Sequence, residues 1–230
     1  MTANVPTAAA GEPAAVSEEA LLRAEQYVEE EEGAANKLKG SLGGFIRLVA
    51  FVMAAFHLYS AYAIVPTQVL RPVHVAFVLF LCFLVFPLAP RFRHRVMWWD
   101  WLAALLAVAV IVYAIVGGDD FTDRNTSPLP WDIAFGVALI VLVLEAMRRT
   151  SGWIMPVITL GFIAYALAGP WLPAPWTHKG YEVGRLIGIL YMTLEGIFGV
   201  AVDVASSLII LLGWLGSGRM IGSSADRDDS

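Results

Sequence analysis

Six apolar stretches, each long or nearly long enough to cross a lipid bilayer, occupy about half of this 230-residue sequence. A helix rising about 1.5 Å per residue needs about 20 apolar residues to cross a hydrocarbon core roughly 30 Å thick. Because backbone groups in lipid must be satisfied within the segment, these stretches predict helices. The sequence therefore predicts an all-α, polytopic membrane protein with five to six spanning helices. The predicted spans cover residues 42–64, 73–89, 98–116, 131–147, 153–172 and 200–216.

The segments between and beyond these spans differ in character. Residues 1–41 predict a disordered stretch followed by a short acidic helix, and residues 217–230 predict a polar tail. The acidic stretch 117–130 predicts a loop. Residues 183–199 are mostly apolar but are interrupted by glycines and by Glu195, which predicts an interfacial or re-entrant helix and not a full span.

The distribution of basic residues predicts the orientation. With the N-terminus in the cytoplasm and all six segments crossing, eleven of the 15 lysines and arginines lie on the cytoplasmic side. No apolar stretch precedes a small-residue cleavage site in the first forty or so residues, so the first span is expected to act as the insertion signal. The four basic residues left outside are Arg71, Arg124, Lys179 and Arg185.

Two sets of charged residues at the ends of the predicted spans are expected to have structural roles. Glu145 precedes Arg148 and Arg149 by three and four residues, which places all three on one helix face and predicts a structural ion pair. Asp100 and Asp132 each follow a tryptophan at the start of a predicted span. We expect both to cap a helix or to lie at the interface, and not to be catalytic.

Three further polar residues lie at or near membrane depth, where charges are costly and often functional. We expect His57 to be a neutral histidine that is hydrogen-bonded to a neighbouring helix. The alternative is that it binds a proton or a substrate. We expect the carboxylate of Asp203 to lie in the first turn of the last helix, where the helix dipole favours a negative charge. The alternative is that Asp203 takes part in ion coupling. Glu195 lies two helical turns earlier and is a further functional candidate.

Signatures of soluble enzymes are missing from the sequence: it has no phosphate loop, no metalloprotease His pair, no nucleophile elbow and no Cys/His cluster. The sequence thus predicts a protein that is not an enzyme and that takes no cofactor, metal ion or nucleic acid. The four histidines fall in different spans or loops, so they predict no metal site; they are His57, His74, His94 and His178.

Residues 142–153, LVLEAMRRTSGW, resemble a segment of the TRAP (tripartite ATP-independent periplasmic) transporter permeases, which read Leu-Glu-Ala-x-Arg-Arg-x-x-Gly-Trp at the end of their fourth helix. Residues 178–181, HKGY, and 191–199, YMTLEGIFG, are similar to the family's next signature. Residues 98–101, WWDW, fit the start of its third helix. The likeness is to fused permeases that join a small four-helix subunit to a large twelve-helix one.

This resemblance implies a division of the chain: residues 42–150 would form a four-helix region like the small subunit, and residues 151–216 the start of a large one. After the signature, the family has a Pro and a Gly where this chain has Ala201 and Asp203, and it then continues with further helices that hold substrate and sodium. The expectation is an accessory subunit, or a truncated permease, of an importer of anionic organic solutes that does not transport alone. Its partners would be the lipid bilayer, a large TRAP membrane subunit and a periplasmic solute-binding protein at the bacterial inner membrane. A stand-alone scaffold and a non-functional fragment are the alternatives.

Overall fold

The computed structural model describes residues 40–89 and 95–209, together with residues 19, 21–23 and 38. Within these ranges the chain is helical and contains no strand. We number the α-helices in chain order as α1 Ser41–Tyr62, α2 Thr67–Val85, α3 Trp98–Asp123, α4 Pro130–Ser151, α5 Ile154–Ala168, α6 Val183–Tyr191 and α7 Val200–Val204. Short 3-10 turns follow α3 at Arg124–Thr126 and α5 at Gly169–Trp171, and a π-turn follows α7 at Ala205–Ile209.

Five of these helices are long and apolar enough to cross a membrane: α1, α2, α3 with its 3-10 turn, α4, and α5 with its 3-10 turn. The prediction of an all-α, multi-pass membrane protein is thereby confirmed. We call the end of the bundle at which the chain enters α1 the near end, and the opposite end, with residues 63–66 and 124–129, the far end. A short helix begins at Val200, where the predicted sixth span starts, but residues 210–216 of that predicted span lie outside the described residues. Most of the predicted acidic helix and the polar tail lie outside them as well.

The centre of the bundle is made by α2, α3 and α4, which bury one continuous apolar cluster. Small side chains of α3 recur on one face at Ala104, Ala107 and Ala114, all buried, and they allow the neighbouring helices to approach closely. On α4, a Cβ atom at Gly136 would overlap Ile187, so α6 packs directly against the α4 backbone. Helices α2, α3 and α4, which carry most of the candidate polar side chains, are therefore closely packed.

The predicted loop over residues 117–130 was wrong, because most of it is helical. Helix α3 continues to Asp123 across a break at Gly118, whose φ of 52° and ψ of −136° lie in a region that only glycine adopts without strain. The break redirects the last turn of the helix, and Phe121 then points into the core, where it is 4% exposed. It also places Arg124 beside the start of α4.

Helix α6 has nine residues, which give a rise of about 13.5 Å, less than half of the hydrocarbon core. It begins at the far end, with Gly184 near Pro128, and passes the backbone of Asn125 at Gly188. It ends at Tyr191, whose buried hydroxyl donates a 2.7 Å hydrogen bond to the carbonyl of Val110 in the middle of α3. This path matches the predicted interfacial or re-entrant helix. Burial raises the pKa of Tyr191, so its hydroxyl stays protonated and keeps donating.

Candidate functional site

The third residue of α3, Asp100, closes the start of its own helix. Its Oδ2 accepts a 2.9 Å hydrogen bond from the backbone N–H of Met97. Its Oδ1 accepts a 2.7 Å bond from Nη1 of Arg149, near the end of α4, and both side chains are almost fully buried. The predicted capping role of Asp100 is therefore seen in the structure, together with a cross-helix ion pair that the sequence analysis missed.

The third residue of α4, Asp132, repeats this arrangement at the far end. Its Oδ2 accepts a 2.9 Å bond from the backbone N–H of Leu129 and a 2.8 Å bond from Nε of Arg124. Its Oδ1 accepts a 3.0 Å bond from Nη2 of Arg124 and a 2.7 Å bond from the hydroxyl of Tyr113. Asp132 is fully buried, and all of its contacts come from α3, from the turn that follows it or from its own helix start.

Helices α3 and α4 are thus joined reciprocally at both ends. Each begins with an aspartate that caps its own first turn and binds an arginine at or just beyond the end of the other helix. We call Asp100 with Arg149 the near clamp, and Asp132 with Arg124 the far clamp. Removing one partner of a buried ion pair costs about 3–5 kcal/mol because the other charge is left unpaired. The clamps therefore fix both the pairing and the register of the two helices.

The near clamp extends into a larger cluster through Glu145. Both oxygens of Glu145 accept 2.8 Å bonds from Arg148, and Oε1 also accepts a 2.8 Å bond from Nε of Arg149. The spacing of three and four residues had predicted these contacts. The two guanidinium groups also donate to backbone carbonyls just after α2: Arg149 to Phe86 at 3.0 Å, and Arg148 to Leu88 at 3.0 Å. Two cations and two carboxylates therefore bind α2, α3 and α4 together with no net charge.

Asp203 also has a partner on another helix. Nε of Arg71, in α2, donates a 3.0 Å bond to Oδ1 of Asp203, and Nη1 donates a 3.2 Å bond to the carbonyl of Phe198. Asp203 lies in the first turn of α7, as the sequence predicted. The contribution of Arg71 was missed, because the charge pattern had placed it in the aqueous phase. This contact holds residues 198–203 against α2.

Glu195, the neighbouring candidate, is exposed in the turn that follows α6. Its backbone N–H donates a 3.2 Å bond to Oγ1 of Thr193, which in turn binds the end of α6. The carboxylate that binds Arg71 in the described part of the chain is Asp203 and not Glu195. The structure therefore does not bring Glu195 into a cluster with the other candidates.

His57 is buried in α1 and has a partner on the neighbouring helix, as its predicted neutral role requires. One ring nitrogen, Nδ1, lies 2.6 Å from the carbonyl of Met53, and the other, Nε2, lies 3.0 Å from Nδ1 of His74 in α2. The sequence analysis had placed these two histidines in different spans and had not predicted that they meet. The turn at residues 63–66 pairs α1 with α2, and the two histidines lie at similar distances on either side of it. In the described ranges, no group of three or more side chains suited to metal binding occurs.

Two cavities lie beside these clusters. The larger, about 330 Å³, lies between α4, α5 and residues 186–197, and its lining is apolar apart from Thr159, with Val143, Phe162 and Leu190 among the side chains. The smaller, about 100 Å³, adjoins the break at Gly118 and includes the polar side chain of Gln68. Neither of the two has a charged side chain in its lining. The charges of the clamps are therefore not directed into these cavities.

No protein-family model, curated protein or solved structure matches this chain.

Proposed function

We propose that this chain is an accessory, non-transporting membrane subunit of a TRAP-type secondary importer of anionic organic solutes. The observation that carries the proposal is the neutralisation of four arginines in the described part of the bundle. Arg71, Arg124, Arg148 and Arg149 each bind a carboxylate of the same chain at 3.0 Å or less. A site for an anionic solute needs positive charge or free donors directed at the ligand. Here the guanidinium groups are used to join helices.

The position of the TRAP-like residues supports the same conclusion. In the segment 142–153, the charged residues Glu145, Arg148 and Arg149 form the near-end cluster. In the segment 191–199, Tyr191 holds α6 to α3, and the carbonyl of Phe198 binds Arg71. The residues on which the resemblance rests therefore serve packing in this chain. A bundle whose buried charges are paired in this way is suited to a scaffold that supports a moving subunit.

The outer surface of the bundle offers room for a large partner. The spanning windows of α1 and α5 are each only 11% buried, and exposed apolar side chains such as Phe51, Ile154 and Phe162 cover them. Lipid covers part of this surface in any membrane protein, and the resemblance assigns the rest to a large TRAP subunit. That subunit would receive the solute from a periplasmic binding protein, in the bacterial inner membrane.

Transport measurements in liposomes test this proposal. The purified chain in vesicles with a sodium gradient and a TRAP binding protein loaded with its solute should give no uptake above protein-free vesicles. Uptake should appear when a large TRAP subunit is incorporated as well, and it should fall when this chain is left out. Gradient-driven uptake by the chain alone would contradict the accessory role. Uptake by the large subunit that is indifferent to this chain would favour a stand-alone scaffold.

A further inference from the structure

The two buried histidines that join α1 to α2 form a chain of hydrogen bonds with a fixed direction. A backbone carbonyl can only accept, so the Nδ1 of His57, 2.6 Å from the carbonyl of Met53, must carry a hydrogen. In the neutral ring the Nε2 of His57 is then an acceptor. The Nδ1 of His74, 3.0 Å away, must therefore donate to it. Both neutral rings are thus Nδ1–H tautomers, and among the described residues no donor binds the lone pair on Nε2 of His74.

This direction limits how many protons the two rings can accept. A proton added to Nε2 of His74 leaves both hydrogen bonds intact. The hydrogen on Nδ1 of His74 can then move to Nε2 of His57: the N–H bond on His74 breaks, the N–H bond on His57 forms, and the positive charge passes from α2 to α1. A second proton would place N–H groups on both facing nitrogens, where each would point at the other without an acceptor.

We propose that His57 and His74 form a binding site for one proton, shared between α1 and α2. This site goes beyond the scaffold role, since none of the clamps takes part in it. The rings are 4% and 7% exposed, and they meet with their planes almost perpendicular, at a centroid separation of 5.0 Å. His57 lies five residues before the end of α1, so the site lies about 8 Å below the far end.

The charged groups on the elements packed around the site are either paired or exposed. On α2, Arg71 lies one turn before His74 on the same helix face, and it is bound to Asp203 of α7. The π-turn after α7, which packs against α1 and α2, contributes the buried hydroxyl of Ser206, which donates to the carbonyl of Asp203. On α3 and α4, the far clamp and Tyr113 bind one another, and the aspartates in the last turn of α3 are exposed; these are Asp119, Asp120 and Asp123. In the part of the chain that the structure describes, the nearby carboxylates are bound to an arginine or exposed, so the two imidazole rings hold the proton.

A count of bound protons tests the proposal. The full chain carrying 15N-labelled histidine, with His94→Gln and His178→Gln to leave only the two rings visible, is titrated in detergent from about pH 8 to the lowest pH at which it stays folded. At the start, 15N chemical shifts should show hydrogen on both Nδ1 atoms and on neither Nε2 atom. The two rings together should then take up one proton. If the double substitution prevents folding, the same signals are assigned in the unmodified chain by comparison with His74→Gln.

Single substitutions provide the control for sharing. Because one proton serves both rings, His57→Gln and His74→Gln should each still bind one proton per folded chain, the same number as the intact pair. Two independent histidines would instead bind two protons in the intact chain and one in each variant. Uptake of two protons by the folded pair, or of none, would contradict the proposal, as would hydrogen on the Nε2 of neutral His74.

Discussion

Three arginines of the bundle each bind a carboxylate and at least one backbone carbonyl. Arg71 binds carbonyls of the turn after α6, and Arg148 and Arg149 bind carbonyls just beyond the end of α2. These carbonyls lie just beyond helix ends, where a helix offers them no partner, and an unpaired carbonyl is costly in lipid. A guanidinium group has five donors, so it can neutralise a carboxylate and satisfy such carbonyls together. Each of these arginines therefore connects its own helix to a neighbouring segment of the bundle.

At the scale of one residue, we predict that Glu145→Gln lowers stability. The amide keeps one acceptor but loses the charge that Arg148 and Arg149 share, and a charged group left short of a partner costs about 1–3 kcal/mol. Glu19→Gln is the matched control, because Glu19 forms an exposed pair with Arg23 and should change the free energy of unfolding by less than about 0.5 kcal/mol.

Thermal unfolding of the two variants in detergent measures the difference. In a complete transporter, Glu145→Gln should leave solute affinity and sodium dependence largely unchanged. A variant of full stability whose partner transporter loses its sodium dependence would show that Glu145 couples ions and does not serve the fold.

At the scale of helices, the break in α3 decides where the far clamp forms. The sequence analysis had predicted a loop over residues 117–130, because this stretch is acidic. In the structure the helix resumes, since its last turn buries Phe121 and brings Arg124 to Asp132. The positive φ at Gly118 makes this path available, and the packing of Phe121 favours it.

We therefore predict that Gly118→Ala destabilises the fold by about 1–3 kcal/mol, the typical cost of a non-glycine residue in a strained backbone region. The space around Gly118 is open, so the effect would come from the backbone and not from a clash. Gly161→Ala on α5 is the control: its surroundings are equally open and its φ is not positive, so stability should stay equal or rise slightly. The midpoint of thermal unfolding compares the two, and equal effects would show that the break is not strained for alanine.

The sequence predicted those features of the helices that depend on local spacing. Hydropathy located the five spans, the position of Asp100 and Asp132 indicated caps, and the spacing of Glu145 indicated its partners. Pairs between helices were missed, because they depend on which faces pack together. A usable signal was nevertheless present for the clamps. Adjacent antiparallel helices place the start of one beside the end of the other, so an aspartate at one position predicts an arginine at the other.

The same reasoning applies to the histidine pair and to Arg71. Two residues at similar distances on either side of a short turn come together in an antiparallel helix pair, and His57 and His74 meet this condition. Arg71 was predicted to lie in the aqueous phase outside the membrane, on the basis of its charge alone. Its partner Asp203 lies 132 residues away, and neither periodicity nor spacing relates positions that far apart.

At the scale of the whole molecule, five spanning helices form a multi-pass bundle with α1 and α5 mostly exposed on its outside. We predict that its N-terminus lies in the cytoplasm, because eleven of the 15 basic residues lie on that side when the predicted sixth span also crosses. Reporter fusions after Asp120 and after Thr150 should indicate periplasm and cytoplasm, respectively. The opposite pattern would reverse the orientation, although the packing of the helices would stay the same.

The bundle as a whole depends on buried charges that serve the fold, and a double-mutant cycle at the far clamp tests this most directly. The free energy of unfolding is measured for Arg124→Gln, Asp132→Asn and the double variant, with exposed Asp120→Asn as the control. Each single variant should lose about 3–5 kcal/mol, because it leaves a buried charge or its donors unpaired. The double variant should lose less than the sum, by a coupling of about 1–3 kcal/mol. Losses that simply add, or single variants as stable as the control, would show that Arg124 and Asp132 do not hold the helices together.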